Sequence, residues 1–366
     1  MTFSNSRCRM AGMVTVAAVA AALTACGGGS QPSAVALGSN LPTATAGQVP
    51  GQTTAGQAPG QSTANSPACI GTAGTTVSSA DQLSQALASA APGTTIVLAP
   101  GDYAGNFQAT TSGTAARPIT LCGPRGAVLD GGAVQKGYAL YLDHASWWRL
   151  EGFSVMGGQK GVLTDGSDHN LIDGLYVHDI GDEAIHLRDF SSDNTVTRNV
   201  IRATGLHSSF YGEGIYVGSA NKNWCRYSGC KPDGSDGNTI TDNSITQTTA
   251  ESIDIKEGTT GGIVSGNHFN GTGMNSSSAT SWVNVKGNDW KITGNTGSQS
   301  VQDGLSDHQV YPGWGLNNVF TANVLTVNGP GFGIYVQRES LGVTVNCDNK
   351  AAGAQRGLSN LSCTPA

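Results

Sequence analysis

The chain has 366 residues, 52 of them Gly, 13 Pro and 8 Cys, with only 12% charged side chains and a formal charge of −6. So little Lys and Glu, among long stretches of Gly, Asn, Thr and Ser, excludes a coiled coil or helical bundle. The acidic balance argues against a nucleic-acid partner, and the one long apolar run, about a dozen residues, is too short to span a membrane.

In chain order, Arg7 and Arg9 precede an apolar run from Met13 to Leu23, the pattern of a secretory signal. Leu23-Thr24-Ala25-Cys26, placed where that run stops, resembles the bacterial lipobox, which implies cleavage before Cys26 and lipid attachment to it. An ordinary signal with an incidental Cys is the alternative. On the lipobox reading, residues 1–25 are a signal peptide and the product is an exported cell-envelope lipoprotein that meets the membrane through Cys26 only. Its mature chain then holds 17 Lys plus Arg against 25 Asp plus Glu, formally −8. Residues 26–66 carry no charge and repeat the phrase Ala-Gly-Gln-x-Pro-Gly-Gln-x-Thr-Ala from Ala46 and from Ala55. They read as a flexible tether. The folded domain is expected over residues 67–366, as a monomer.

Ser79-Ala-Asp-Gln82, followed by Leu83, Ala86, Leu87 and Ala90 and closed by Pro92-Gly93, predicts a capped amphipathic helix. A recurring phrase then dominates: Asn194-Thr-Val-Thr-Arg-Asn199, Asn238-Thr-Ile-Thr-Asp-Asn243, Gly262-Ile-Val-Ser-Gly-Asn267, Trp290-Lys-Ile-Thr-Gly-Asn295 and Asn318-Val-Phe-Thr-Ala-Asn323. Between its copies lies a second one: Ala184-Ile-His-Leu-Arg, Gly214-Ile-Tyr-Val-Gly, Ser252-Ile-Asp-Ile-Lys, Trp282-Val-Asn-Val-Lys and Gly333-Ile-Tyr-Val-Gln. Both alternate with the strand period. Repeats of two strand phrases that recur along the chain predict an all-β parallel solenoid, each coil covering the next. Asn199, Asn243, Asn267, Asn295 and Asn323 would stack as a side-chain amide ladder, and the helix would cap the open N-terminal end. No further helical period separates the strands, which excludes a doubly wound α/β fold.

This pattern, with the entry phrase Pro92-Gly-Thr-Thr-Ile-Val-Leu-Ala-Pro-Gly-Asp-Tyr103, resembles the right-handed parallel β-helix family of pectate-lyase-like proteins over about residues 75–345. Six Cys follow residue 66. Six allow fifteen pairings, of which the local set Cys69–Cys122, Cys225–Cys230 and Cys347–Cys363 is expected in an exported protein.

If Ile185, Ile215, Ile253, Val283, Leu305 and Ile334 point inward, the next residues form an outward column of His186, Tyr216, Asp254, Asn284, Ser306 and Tyr335. Arg188, Gly218, Lys256, Lys286, His308 and Gln337 form a neighbouring column. Glu183, Glu213 and Glu251 fall in the turn before the strands, where three adjacent carboxylates suit Ca²⁺. A uronate polymer needs its carboxylate neutralised, a base for the proton at C5 and an acid for the leaving oxygen. Lys256 is the expected base, its pKa lowered by Lys286 and Arg188, with Lys286, Arg188 and His308 as further catalytic candidates. Glu251, Glu213 and Asp254 would hold the substrate carboxylate, directly or through Ca²⁺. Asp254, Asn284, His186, Tyr216 and Trp282 are the expected substrate contacts, and the insertion from Ala220 to Gly237 is expected to overhang them.

Glu251-Ser-Ile-Asp254-Ile-Lys256 resembles the alginate and chondroitin lyase branch of that superfamily, which implies calcium-binding carboxylates, a lysine base and an arginine. Here the acidic-to-lysine spacing is shorter, and the next coil offers Lys286 rather than Arg. The expected function is a surface-tethered polysaccharide lyase acting on an acidic polysaccharide by β-elimination. The alternatives are a glycoside hydrolase working through paired carboxylates and a non-catalytic carbohydrate-binding or adhesive solenoid.

Overall fold

The structure, a computed structural model, describes residue 69 and residues 73–365. The expected signal peptide, Cys26 and the tether lie outside the described residues. The chain winds through three parallel sheets of 11, 10 and 9 strands, each coil adding one strand to each in turn. Within one coil the path runs from Thr195–Thr197 through the bend at Asn199 to Val200–Arg202, and then by a longer loop to Ile215–Val217. This is the β-solenoid expected from the repeat.

Alternation explains the core. Ile185, Ile215, Ile253, Val283, Leu305 and Ile334 pair in one register line along the nine-stranded sheet and are all fully buried. Leu187, Val217, Ile255, Val285 and Val336 form the second inward line. Each such side chain removed from water contributes about 1.5–3 kcal/mol before entropy is counted, and each coil supplies the lid for its neighbour. Asp307 interrupts the second line: it pairs with Val285 and Val336 and is fully buried.

The amide ladder is present and longer than expected. Asn199, Asn243, Asn267 and Asn295 each donate Nδ2 to Oδ1 of the next rung at 2.9–3.0 Å, and Asn323 continues the run to Asn349 at 2.8 Å. Every rung also accepts the preceding rung's backbone N–H, so the bend leaves no amide of this row unpaired. The residue before each of the first five of these Asn turns left-handed, with φ 65° at Gly266 and 64° at Gly294, although Arg198, Asp242 and Ala322 adopt the same conformation. A second, shorter ladder that the repeat did not announce precedes the eleven-stranded sheet, where Asn194 receives the Asn170 N–H and donates to Asn238.

The helix Ala80–Ala88 forms as predicted, with Ser79 Oγ accepting the Gln82 N–H and Leu83 and Leu87 buried. The return arm of the capping box is displaced by one residue: Gln82 Oε1 accepts from the Ser78 N–H. All three expected disulfides are formed, with Cα–Cα separations of 5.8, 3.7 and 4.9 Å. No described helix is long and apolar enough to cross a membrane.

Candidate active site

The outward columns of the nine-stranded sheet fall in the expected register. His186 pairs with Tyr216, Tyr216 with Asp254, and Asp254 with Asn284. They form the floor of a cleft of about 550 Å³ that Glu213, Glu251, Lys256, Lys286 and Arg188 also line. One wall is the exposed pair Phe210 and Tyr211, and the other is the Cys225–Cys230 insertion with Lys222, Arg226 and Tyr227.

The floor is acidic, buried and unequal. Carboxylate oxygens of Glu213, Glu251 and Asp254 lie within 4.8 Å of one another. Burial first, and then the neighbouring charges Glu183 and Asp254, push the Glu213 carboxyl well above the usual range, and its Oε2 has no hydrogen-bond partner. Glu251 is pushed up by burial and by Asp254, against its hydrogen bond from Asn284 Nδ2 at 3.0 Å. Burial would raise Asp254 as well, but Lys256 and Lys286 outweigh it and hold that carboxyl below its ordinary value. Lys256 Nζ lies 2.5 Å from Asp254 Oδ2, and Lys286 donates to Oδ1.

Two expectations change here. Glu183 stands apart from the cluster of three adjoining carboxylates, and Lys160 engages its Oε2. Asp254 takes its place beside Glu213 and Glu251. Nor is the Lys256 ammonium depressed: burial would lower it, but Asp254, Tyr216 and Glu213 outweigh burial and hold it well above the ordinary lysine value. Lys286 and Arg188 do not depress it, because Asp254 sits between the two lysines and Asp165 neutralises the arginine.

Arg188 does line the cleft, held by Asp165 through Nε at 2.5 Å and Nη2 at 2.9 Å, with its guanidinium 4.0 Å above the Tyr227 ring. Tyr141 donates to the same Asp165 at 2.8 Å. This chain of contacts pins the disulfide-clipped wall to the sheet. His308 lies outside the cleft lining and acts behind it: its Nδ1 bonds Asn284 Oδ1 at 2.9 Å, and Asn284 reaches Glu251. Burial and Lys286 lower its pKa to about 4, so the ring is neutral. Trp282 is corrected outright. It is fully buried, stacked with Phe269 at 6.4 Å, and covers Gly297, where a Cβ would sit 2.4 Å from the ring. Its place just before the inward Val283 put it on the core side of the turn.

His186 is buried with its Nε2–H donated to the Gly218 carbonyl at 3.0 Å and its ring 4.5 Å from that of Tyr216. Burial, then Lys160 and Arg188, push its pKa well below the ordinary value. Tyr216 is raised well above its ordinary value by burial, so it keeps its hydroxyl proton. Lys256 Nζ stands 4.7 Å from its ring centroid. Lys160 and Asp165 were missed in the sequence, although the strand Lys160–Asp165 continues the same register and places Asp165 opposite Arg188. Starting the columns one coil earlier would have found them.

The sequence model of the Pel9A-like right-handed β-helix region matches residues 66–318. The chain belongs to that family. Among solved structures, an alginate lyase from Paenibacillus sp. str. FPU-7 is 36% identical with a TM-score of 0.73, over 79% of this chain and 98% of that one. This Pel9A-like chain also resembles pectate lyase Pel9A, at 18% identity and a TM-score of 0.51 over 73% of this chain and 72% of that one. A periplasmic alginate epimerase, AlgG, gives 13% and 0.50, over 74% and 61%. The last two likenesses are of fold. Comparison with curated protein sequences gave no match.

Proposed function

We propose that this protein is a polysaccharide lyase that cleaves a uronate-containing glycan by β-elimination and is held at the cell envelope through a lipid on Cys26. The observation that carries the reading is the buried cleft floor in which Lys256 and Tyr216 lie beside the Glu213, Glu251 and Asp254 carboxylates. The 36% identity to an alginate lyase supports it.

β-Elimination removes the proton at C5, breaks the bond from C4 to the glycosidic oxygen, forms the C4–C5 double bond and returns a proton to the departing oxygen. Lys256 takes the C5 proton, and Tyr216, which retains its hydroxyl proton, supplies the one for the leaving oxygen. Arg188 and Lys286, each paired with a carboxylate of the protein, line the cleft where the uronate carboxylate would lie. The all-oxygen donor set and the unpartnered Glu213 Oε2 fit a hard divalent cation. Held by Glu213, Glu251 and Asp254, Ca²⁺ would offset the carboxylate charge that keeps Lys256 protonated and would attract the uronate. With the Asp254 charge so offset, Lys256 would be freer to give up its proton and act as the base.

One observation favours a second reading. Glu213 is pushed up while Asp254 is held down, and their oxygens lie within 4.8 Å. That is the division between acid and nucleophile that a retaining glycosidase uses at roughly 5 Å. Incubation with pectate, alginate, glucuronan and glycosaminoglycans, with Ca²⁺ or a chelator, decides between them. Ultraviolet absorbance from unsaturated uronate ends on one polymer is the expected result. New reducing ends without that absorbance would overturn the lyase in favour of the hydrolase, and binding without either would make the cleft a recognition site.

A further inference from the structure

His186 carries the one ring nitrogen of the cleft floor that is both buried and without a partner. Its Nε2–H is committed to the Gly218 carbonyl at 3.0 Å, which leaves Nδ1 as a lone-pair acceptor. That Nδ1 is fully shielded and makes no hydrogen bond within the protein. Another acceptor, Glu183 Oε1, lies 3.7 Å from it. Lys160 engages the other oxygen of that carboxylate, Oε2. Two acceptors therefore face one another with no proton between them, at the edge of a cleft that both residues line.

A buried acceptor pair of this kind is costly if left unmet. It is matched by a ligand with two donors close together. A carboxylate has none, so the feature is not part of the machinery for the uronate charge. From this geometry we infer that His186 Nδ1 and Glu183 Oε1 form a hydroxyl-binding subsite, accepting hydrogen bonds from neighbouring hydroxyls of a sugar ring. This rests on the cleft being a glycan site and names a second contact in it: Lys256 and the carboxylate floor act at the reacting uronate, and His186 reads uncharged hydroxyls. The tilted Tyr216 ring, 4.5 Å away, fixes the imidazole so that Nδ1 keeps its aim.

The wild-type protein tests this directly. With ¹⁵N-labelled histidine, the ligand-free His186 signal is expected to show an unprotonated Nδ1 and a protonated Nε2, and saturating oligosaccharides from the polymer panel should move the Nδ1 resonance toward its hydrogen-bonded position. A doubly protonated ring, ion-paired with Glu183, would overturn the proposal, as would an Nδ1 resonance unmoved by an oligosaccharide that demonstrably binds. In kinetics, His186→Phe keeps the ring shape and removes the acceptor, so KM should rise roughly five- to tenfold with kcat little changed. His186→Gln, whose amide can both donate and accept, should recover most of it. Equal KM in wild type and His186→Phe would also overturn it. If no polymer is cleaved but an oligosaccharide binds and moves the Nδ1 signal, the lyase reading fails while the subsite stands.

Discussion

Lys256 Nζ lies 2.5 Å from Asp254 Oδ2, two positions away along the chain, in the cleft floor, where Asp254 is buried and Lys256 largely so. A second ammonium, Lys286, reaches the other oxygen of the same carboxylate. Removing the shared anion leaves two buried cations uncompensated, which costs about 3 kcal/mol or more. Asp254→Asn should therefore lower the melting temperature markedly. Lys256→Ala leaves Lys286 on Asp254, so the fold should survive while turnover falls at least about a hundredfold. Circular dichroism melts beside initial rates on the cleaved polymer separate the two outcomes, and unchanged turnover in Lys256→Ala would remove that residue from the mechanism.

Calcium should raise the melting temperature of the parent, and Glu213→Gln should abolish the shift. The raised carboxyls of Glu213 and Glu251 give the effect a sign: protons compete with the cation, so apparent affinity rises with pH. Isothermal titration at two pH values checks this, and tighter binding at the lower pH would contradict the site.

Asp307 supplies a pH dependence on the inward face of the sheet, opposite the cleft. It occupies an inward position of the core line, accepts from Asn318 Nδ2 at 2.6 Å, and burial raises its pKa from 3.8 to about 7. Its folded pKa exceeds the unfolded one, so the folded state binds more protons and this contribution is lost as pH rises through the folded value. Asp307→Asn should remove that loss and stabilise the protein at neutral pH more than at acid pH. Denaturant titrations at about pH 4 and about pH 8 span the window. Equal effects at both would show that Asp307 does not titrate there.

The amide ladder predicts a large local cost. Asn267 donates to Ile240 O and Asn295 Oδ1 and accepts from Asn243 N and Nδ2. Asn267→Ala should destabilise by about 2–4 kcal/mol, since several buried groups lose their partners together. An exposed control, Gln355→Ala, should change chemical denaturation little.

Legibility in the sequence followed periodicity. The repeat of Asn199, Asn243, Asn267, Asn295 and Asn323 at one place per coil, with two alternating strand phrases between copies, specified the solenoid, the bend and the outward columns, because a period-two pattern leaves each side chain one of two faces. It therefore put His186, Tyr216, Asp254 and Asn284 on one stripe and Lys256 and Lys286 on the next.

Pairing across that stripe was settled by tertiary structure. Whether Lys256 is charged depends on Asp254 standing between two ammonium groups, and Glu183, engaged by Lys160 from the preceding coil, stands apart from the acidic cluster. Trp282 turned inward because Gly297 of the next coil leaves room for its ring. Charge and burial are sums over neighbours from different coils, separated by tens of residues along the chain. The sequence by itself therefore determined which residues stand on the outward stripe of the sheet, and the tertiary structure decided which of them line the cleft and which hold a proton, a partner or an empty acceptor.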